Sequence, residues 1–194
     1  MKPIEKFVNH LSKMSHLKRM ALFCIDNKQD LAQHSYNVAV YTHIIGLEIK
    51  ETLQRVLGES IDVNKAVVQA LYHDFEEPIT TDVPYPLKEE FGAEIMDKID
   101  AYGSKSIKEL LCVIPPYQIT NIFEKTSEYY IVKLADYIDL FVWVGRKLNS
   151  VDDTTKKELL EVQDTCVTLL QKNPFFRYSG YCQEIIGHGP KPIK

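Results

Sequence analysis

The stretch from Ala70 to Lys88, ALYHDFEEPITTDVPYPLK, gathers an imidazole, several carboxylates and a lysine into one short span. An apolar run leads into adjacent His73 and Asp74, followed by Glu76 and Glu77. A proline-punctuated loop then carries Thr80, Asp82, Pro84, Pro86 and Lys88. An imidazole beside a carboxylate suits a divalent metal. A carboxylate one helical turn further on, at Glu77, can share the face of His73 and move a proton. A lysine can take phosphate charge. That combination suits hydrolysis of a phosphate ester at a metal ion.

Such a site still needs ligands and charge from elsewhere in the chain. His34, His73, Asp74 and Asp136 are the candidate metal ligands. Two imidazoles and two carboxylates suit a six-coordinate divalent ion (Co, Mn, Ni, Fe, Mg or Zn) better than a closed structural zinc site. Asp136 shares its apolar segment with Asp139, and a carboxylate buried there must be held by a cation or by donors. Either one can be the inward carboxylate. Glu77 is the candidate for proton transfer and Asp82 for orienting the water; Arg19 and Lys88 are candidates for the phosphate charge. Spacing alone also allows Arg19 to be a surface charge, and Glu76 and Glu77 a solvated helix end.

The elements that would position these groups read as helices. Ile4, Phe7, Val8, Leu11 and Met14 recur at helical spacing and predict a helix over 4–22, with Arg19 near its end. Residues 24–30 (CIDNKQD) are turn-like. Asp30 and Gln33 form a capping-box pattern that opens a helix over about 31–57, closed by Gly58, with His34 in its first turn. His43 falls roughly opposite His34 on that helix and reads as structural or surface. Asp62 caps a helix over about 63–76, limited by Pro78. Pro86 opens another to about 101. Gly103 is expected to break it and Ser104 to cap a shorter one to 113, with one more turn over 119–124. Thr126 or Ser127 starts a nearly all-round apolar, hence buried, helix to about 148. Asp152 or Asp153 caps a last amphipathic helix to about 172. No strand-like alternation appears. The expectation is an all-α single domain over 1–172, with six to eight helices. An irregular tail over 173–194 is packed on or extends from it, and His188 has no catalytic role.

Composition narrows the function classes. The chain has 194 residues, 45% hydrophobic and 26% charged, enough for one real core. A net charge of -4 and a pI near 5.9 argue against a nucleic-acid polymer or an anionic membrane as main partner. Cys24, Cys112, Cys166 and Cys182 form no CxxC pair, and three of them sit in apolar surroundings. Free thiols in a reducing compartment are expected. MKPIEKFVNHLSK has no apolar run of signal-peptide type, so a soluble cytoplasmic protein is expected.

Taken together, these residues resemble the HD-domain phosphohydrolases, and among them the bacterial 5'-deoxynucleotidase type related to YfbR. Arg19 stands fifteen residues ahead of the His34–Ser35 pair. Tyr72, His73 and Asp74 precede Glu77, Thr80, Asp82, Pro84, Pro86 and Lys88 at the family intervals. Val132, Lys133, Ala135 and Asp136 match its late Val-Lys-x-Ala-Asp segment, and the match spans about residues 7–148. The resemblance implies His34, His73, Asp74 and Asp136 as metal ligands and Glu77 and Asp82 for the proton and the water. It implies Arg19 and Lys88 for the phosphate. It also implies an all-helical homodimer or higher homo-oligomer that removes the 5'-phosphate from deoxynucleoside monophosphates.

Two positions depart from the family pattern. Met20 stands where the family has a Trp against the sugar, and Thr81 where it has a Gly. Met20 is flexible and less discriminating, which opens the choice between deoxyribose and ribose. A second branch with the same ligand set removes triphosphate from dATP-type nucleotides. A catalytically idle HD domain that binds a nucleotide or a partner protein is disfavoured, because every ligand position is kept.

Overall fold

The computed structural model describes residues 2–81, 83–111 and 125–188. Among them it is all-α, with eight α-helices and no named strand. The chain forms two compact units: Met1–His34 with Asp74–Asn121, and Ser35–His73 with Ile122–Lys194.

In the first unit, α1 runs Pro3–His16, opened by proline in its first turn. The Glu5 carboxylate reaches back to accept the Lys2 backbone N–H at 2.8 Å. The helix ends earlier than the expected 22. Leu17 is already extended, and residues 17–19 pair with 29–31. The Arg19 N–H donates to the Gln29 carbonyl at 2.9 Å, and the Leu31 N–H to the Leu17 carbonyl at 3.0 Å. Backbone groups used in this pairing cannot continue a helix. Arg19 therefore sits on a braced segment, and Met20, just beyond the pairing, turns the chain with φ 55°.

The first turn of α2 (Leu31–Leu57) belongs to this unit. Asp30 accepts the Gln33 N–H at 2.8 Å, as its capping pattern predicts. Residues 73–76 form a turn, and a one-turn helix, α4, spans Glu77–Thr80. α5 spans Tyr85–Leu111. Its helical conformation is interrupted at Gly92 (φ 68°, ψ 173°), not at Gly103. Gly103 serves close approach instead. A Cβ there would stand 3.0 Å from the Glu76 side chain and 3.3 Å from Thr80. Met14, Ile25, Phe75, Ile107 and Leu111 are buried in this unit.

In the second unit, Val38, Ile45, Ile49 and Leu53 of α2 contribute to a core with Ala70, Ile131, Leu134, Ile138 and Leu170. α3 spans Val63–Tyr72, its first turn capped by Asp62 through the N–H groups of Asn64 and Lys65. α6 (Ser127–Lys147) packs against α3, α7 (Asp153–Lys172) and α8 (Gly180–His188). Asp152 caps α7.

The segment expected to be an irregular tail thus contains a 3-10 turn, Phe176–Tyr178, and α8. The start of α8 is held by side chains. Ser179 Oγ accepts the Cys182 N–H at 3.1 Å, and the Glu48 carboxylate accepts the Tyr181 N–H at 2.9 Å. Burial pushes the Cys166 thiol up to about 12 and that of Cys182 to about 11. Cys24 is exposed and Cys112 lies outside the described residues.

Candidate active site

The first unit brings Arg19, His34, Asp74 and Glu77 together. Asp74 is at the centre: its Oδ2 accepts from Arg19 Nη1 at 2.9 Å and lies 3.5 Å from His34 Nε2. Arg19 Nη1 is also 3.9 Å from Glu77 Oε2. His34 is fully buried and Glu77 nearly so. Arg19 is an interior charge with carboxylate neighbours, so the surface alternative for it does not hold. Glu77 is likewise not a solvated helix end.

The path from His73 to Glu77 differs from a continuing helix. Pro78 has no N–H to offer the Asp74 carbonyl, which accepts the Glu77 N–H at 3.1 Å instead. His73 is therefore the C-cap of α3, and Glu77 begins α4.

In the second unit, the His73 ring is oriented by its own helix. Its Nδ1 donates to the Ala70 carbonyl at 2.7 Å, which leaves Nε2 as the ligand-type nitrogen. That Nε2 lies 3.9 Å from Asp136 Oδ1. The other oxygen of Asp136 accepts from Lys133 Nζ at 3.0 Å. Asp139 is buried too, but it accepts from Asn37 Nδ2 at 3.0 Å. Of the two carboxylates on α6, Asp136 is the one beside His73.

His73 and Asp74 are peptide-bonded neighbours. Within the first unit, His34 and Asp74 offer an imidazole nitrogen and a carboxylate oxygen 3.5 Å apart, and within the second, His73 and Asp136 offer such a pair 3.9 Å apart. An imidazole nitrogen beside a carboxylate oxygen, with the His73 ring already fixed through its second nitrogen, is a donor pair that fits a divalent cation.

Other expected site residues are less defined. Met20 is half-buried beside Arg19. Asp82 lies outside the described residues. Lys88 is on α5, but its side chain is not among those described.

One residue of this neighbourhood escaped the sequence reading. His10, on α1, is 4% exposed, and its Nε2 bonds the Phe75 carbonyl at 2.6 Å. Its only sequence signal is its place three residues after Phe7 and four before Met14, on the buried face of α1.

Comparison with known proteins gives the family. The family described as 5'-deoxynucleotidase YfbR-like matches residues 6–171. A 5'-deoxynucleotidase of Vibrio vulnificus is 30% identical over 139 residues, covering 68% of this chain and 69% of that protein. A 4'-phosphooxetanocin A phosphatase of Priestia megaterium is 40% identical over 120 residues, 59% of this chain and 58% of that protein. Among solved structures, a conserved hypothetical protein from Pyrococcus furiosus aligns with TM-score 0.66 and 26% identity, over 95% of this chain and 97% of that one. A cyanophage S-2L HD phosphohydrolase, solved with dA and one catalytic Zn2+ ion, shares the fold at TM-score 0.62 and 16% identity, over 93% and 91%. With its family matched over most of its length, the chain belongs to the YfbR-like 5'-deoxynucleotidase family of metal-dependent phosphohydrolases.

Proposed function

We propose that His34, His73, Asp74 and Asp136 hold one divalent ion and that the substrate is a (deoxy)nucleoside 5'-monophosphate, released as nucleoside and inorganic phosphate. The observation that carries this reading is the Asp74 carboxylate, which lies 3.5 Å from the His34 imidazole, accepts from the Arg19 guanidinium at 2.9 Å, and follows His73 directly in the chain. A divalent ion in such a donor set supplies Lewis-acid polarisation of the phosphoryl group and eases deprotonation of water.

The chain's own residues do the rest. Arg19, a planar fork fixed on a paired backbone segment, takes phosphate oxygen charge, with Lys88 as a second positive charge. Glu77 accepts the proton of the attacking water and returns one to the leaving 5'-oxygen. The phosphorus–oxygen bond to the water forms as that to the 5'-oxygen breaks. Asp82 orients the water. Met20 lies against the sugar.

The reading includes a soluble cytoplasmic homodimer or higher homo-oligomer. Tyr36, Val40, Ile44 and Leu47 support assembly, because they expose one apolar stripe along α2. Among the described residues no helix is long and apolar enough to cross a membrane.

The test is a screen of Co, Mn, Ni, Fe, Mg and Zn with dAMP, AMP and dATP, with products identified. Inorganic phosphate from dAMP is the expected result. Triphosphate from dATP without phosphate from dAMP would overturn the monophosphate assignment. Absence of turnover in protein shown to bind metal would overturn the enzymatic reading.

A further inference from the structure

The turn that carries Asp74 and Glu77 is not held by helix bonds alone. In a continuing helix the Phe75 carbonyl would accept the Ile79 N–H. That N–H goes to the Glu76 carbonyl instead, at 2.8 Å. The Phe75 carbonyl is engaged by His10 Nε2, which arrives from α1, 65 residues earlier in the chain. A carbonyl only accepts, so this bond places the proton of a neutral His10 ring on Nε2.

The ring environment agrees with a neutral donor. Burial pushes the His10 pKa down, the Phe75 bond pulls it back, and Lys13 adds to the lowering. The imidazole packs against the Phe75 ring at 4.5 Å between centroids, and Phe75 is 1% exposed. Phe7 joins the same cluster at 6.0 Å from Phe75. Another helix supports the same segment, because Gly103 of α5 lets Glu76 and Thr80 come close. Between His10 and Gly103, the backbone that carries Asp74 and Glu77 is braced by two helices of its unit.

We infer that His10 is a positioning residue of the hydrolytic reaction: through its bond to the Phe75 carbonyl it sets the direction in which the adjacent Asp74 and the nearby Glu77 present their carboxylates. This rests on the reading that Asp74 holds the metal and Glu77 moves the proton. A merely structural histidine would lower stability and leave the turnover of the folded enzyme alone. A positioning histidine lowers turnover in protein that remains folded, because small displacements of reacting groups are costly.

Two substitutions separate these roles. His10→Phe keeps an aromatic ring but removes the donor. His10→Gln keeps an N–H donor of similar reach. Folded His10→Phe is expected to lower kcat for dAMP by about tenfold or more, with KM little changed. It should also weaken Mn(II) binding measured by calorimetry, and His10→Gln should recover most of both. Wild-type kcat and Mn(II) affinity in folded His10→Phe would overturn the inference, as would His10→Gln no better than His10→Phe.

If His10→Phe does not fold, nitrogen-15 spectra of the unaltered protein decide. The His10 ring should carry a slowly exchanging proton on Nε2 and shift on Zn(II) addition. A proton on Nδ1, or a resonance unmoved at Zn(II) saturation, would overturn the inference. Failure of the underlying reading looks different: the unaltered enzyme would then neither bind metal nor turn over dAMP.

Discussion

Arg19 and Asp74 meet at 2.9 Å with only 12% and 15% of their side chains exposed, so a cation is already seated on a carboxylate assigned to a metal. The arginine then has two tasks, orienting Asp74 and taking phosphate charge. Arg19→Ala is expected to lower kcat/KM for dAMP by about 100-fold, with weaker metal binding. Arg19→Lys should recover little, since an ammonium lacks the fork. Steady-state kinetics and calorimetry check both. An Arg19→Ala enzyme with normal metal affinity would confine the arginine to the phosphate.

Glu77 is buried and 3.9 Å from the same guanidinium. Glu77→Gln keeps its shape and removes its basicity. It should bind metal as the parent does and lose about 100-fold or more in kcat. Retained turnover would transfer the proton to another group.

Thr81 adopts φ 69°. With ψ 158° this is a region adopted almost only by glycine, and a β-branched residue there is strained by about 1–3 kcal/mol. Thr81→Gly is therefore expected to stabilise the protein by about 1 kcal/mol, the extra chain entropy of glycine offsetting part of the relief. Urea unfolding measures it, and a lower midpoint for Thr81→Gly would refute the strain.

Gly103 and Gly187 both lie on helices, yet alanine should act in opposite directions. At Gly103 the new Cβ meets Glu76 at 3.0 Å, and a loss of about 1–3 kcal/mol is expected. At Gly187 none of the described residues lies within 4 Å of the new Cβ, so helix propensity should give a small gain, below the mid-helix figure of about 0.5–1 kcal/mol because Gly187 is in the last turn of α8. Thermal unfolding of the two variants tests the contrast. Equal effects would mean that Gly103 is not a packing position.

Glu128 gives the second unit an acid-sensitive anchor. Burial pushes its pKa up. The nearby Thr126 hydroxyl, the bond from the Asp62 N–H and the charge of Lys65 outweigh this and leave it below 4.5. A lowered carboxylate stabilises the fold above its unfolded value near 4.5, and the contribution is lost as pH falls through its folded value. Glu128→Gln should cost about 1–3 kcal/mol at pH 7 and less at pH 3.5. Denaturation at the two pH values measures the difference, and an equal loss at both would remove Glu128 as the cause.

The parts of the fold legible in the sequence were those whose signals are local. Asp30, Asp62 and Asp152 each cap the helix they precede, and the starts of α2, α3 and α7 fall where those residues place them. Where distant partners decide, the sequence pattern was silent or misleading. α1 stops at His16 because residues 17–19 pair with 29–31. α8 forms where Glu48, 133 residues away, meets the Tyr181 N–H. Gly103 reads as a helix breaker until Glu76 is seen against it. The candidate site divides the same way. The His73–Asp74 pair and Glu77 stand out by type and spacing. The Arg19 contact joins residues 55 apart and the His10 contact residues 65 apart, and no periodicity carries that information.

The proline at position 78 has a consequence for which changes this segment tolerates. Asp74 and Glu77 are linked by a single turn closed by the Glu77 N–H, and the next residue cannot donate at all. Adding or removing one residue in that interval would rotate everything after it by about 100°. The interval is thus a ruler of fixed length: side chains along it can be exchanged, but insertions and deletions there would uncouple the ligand from the proton carrier.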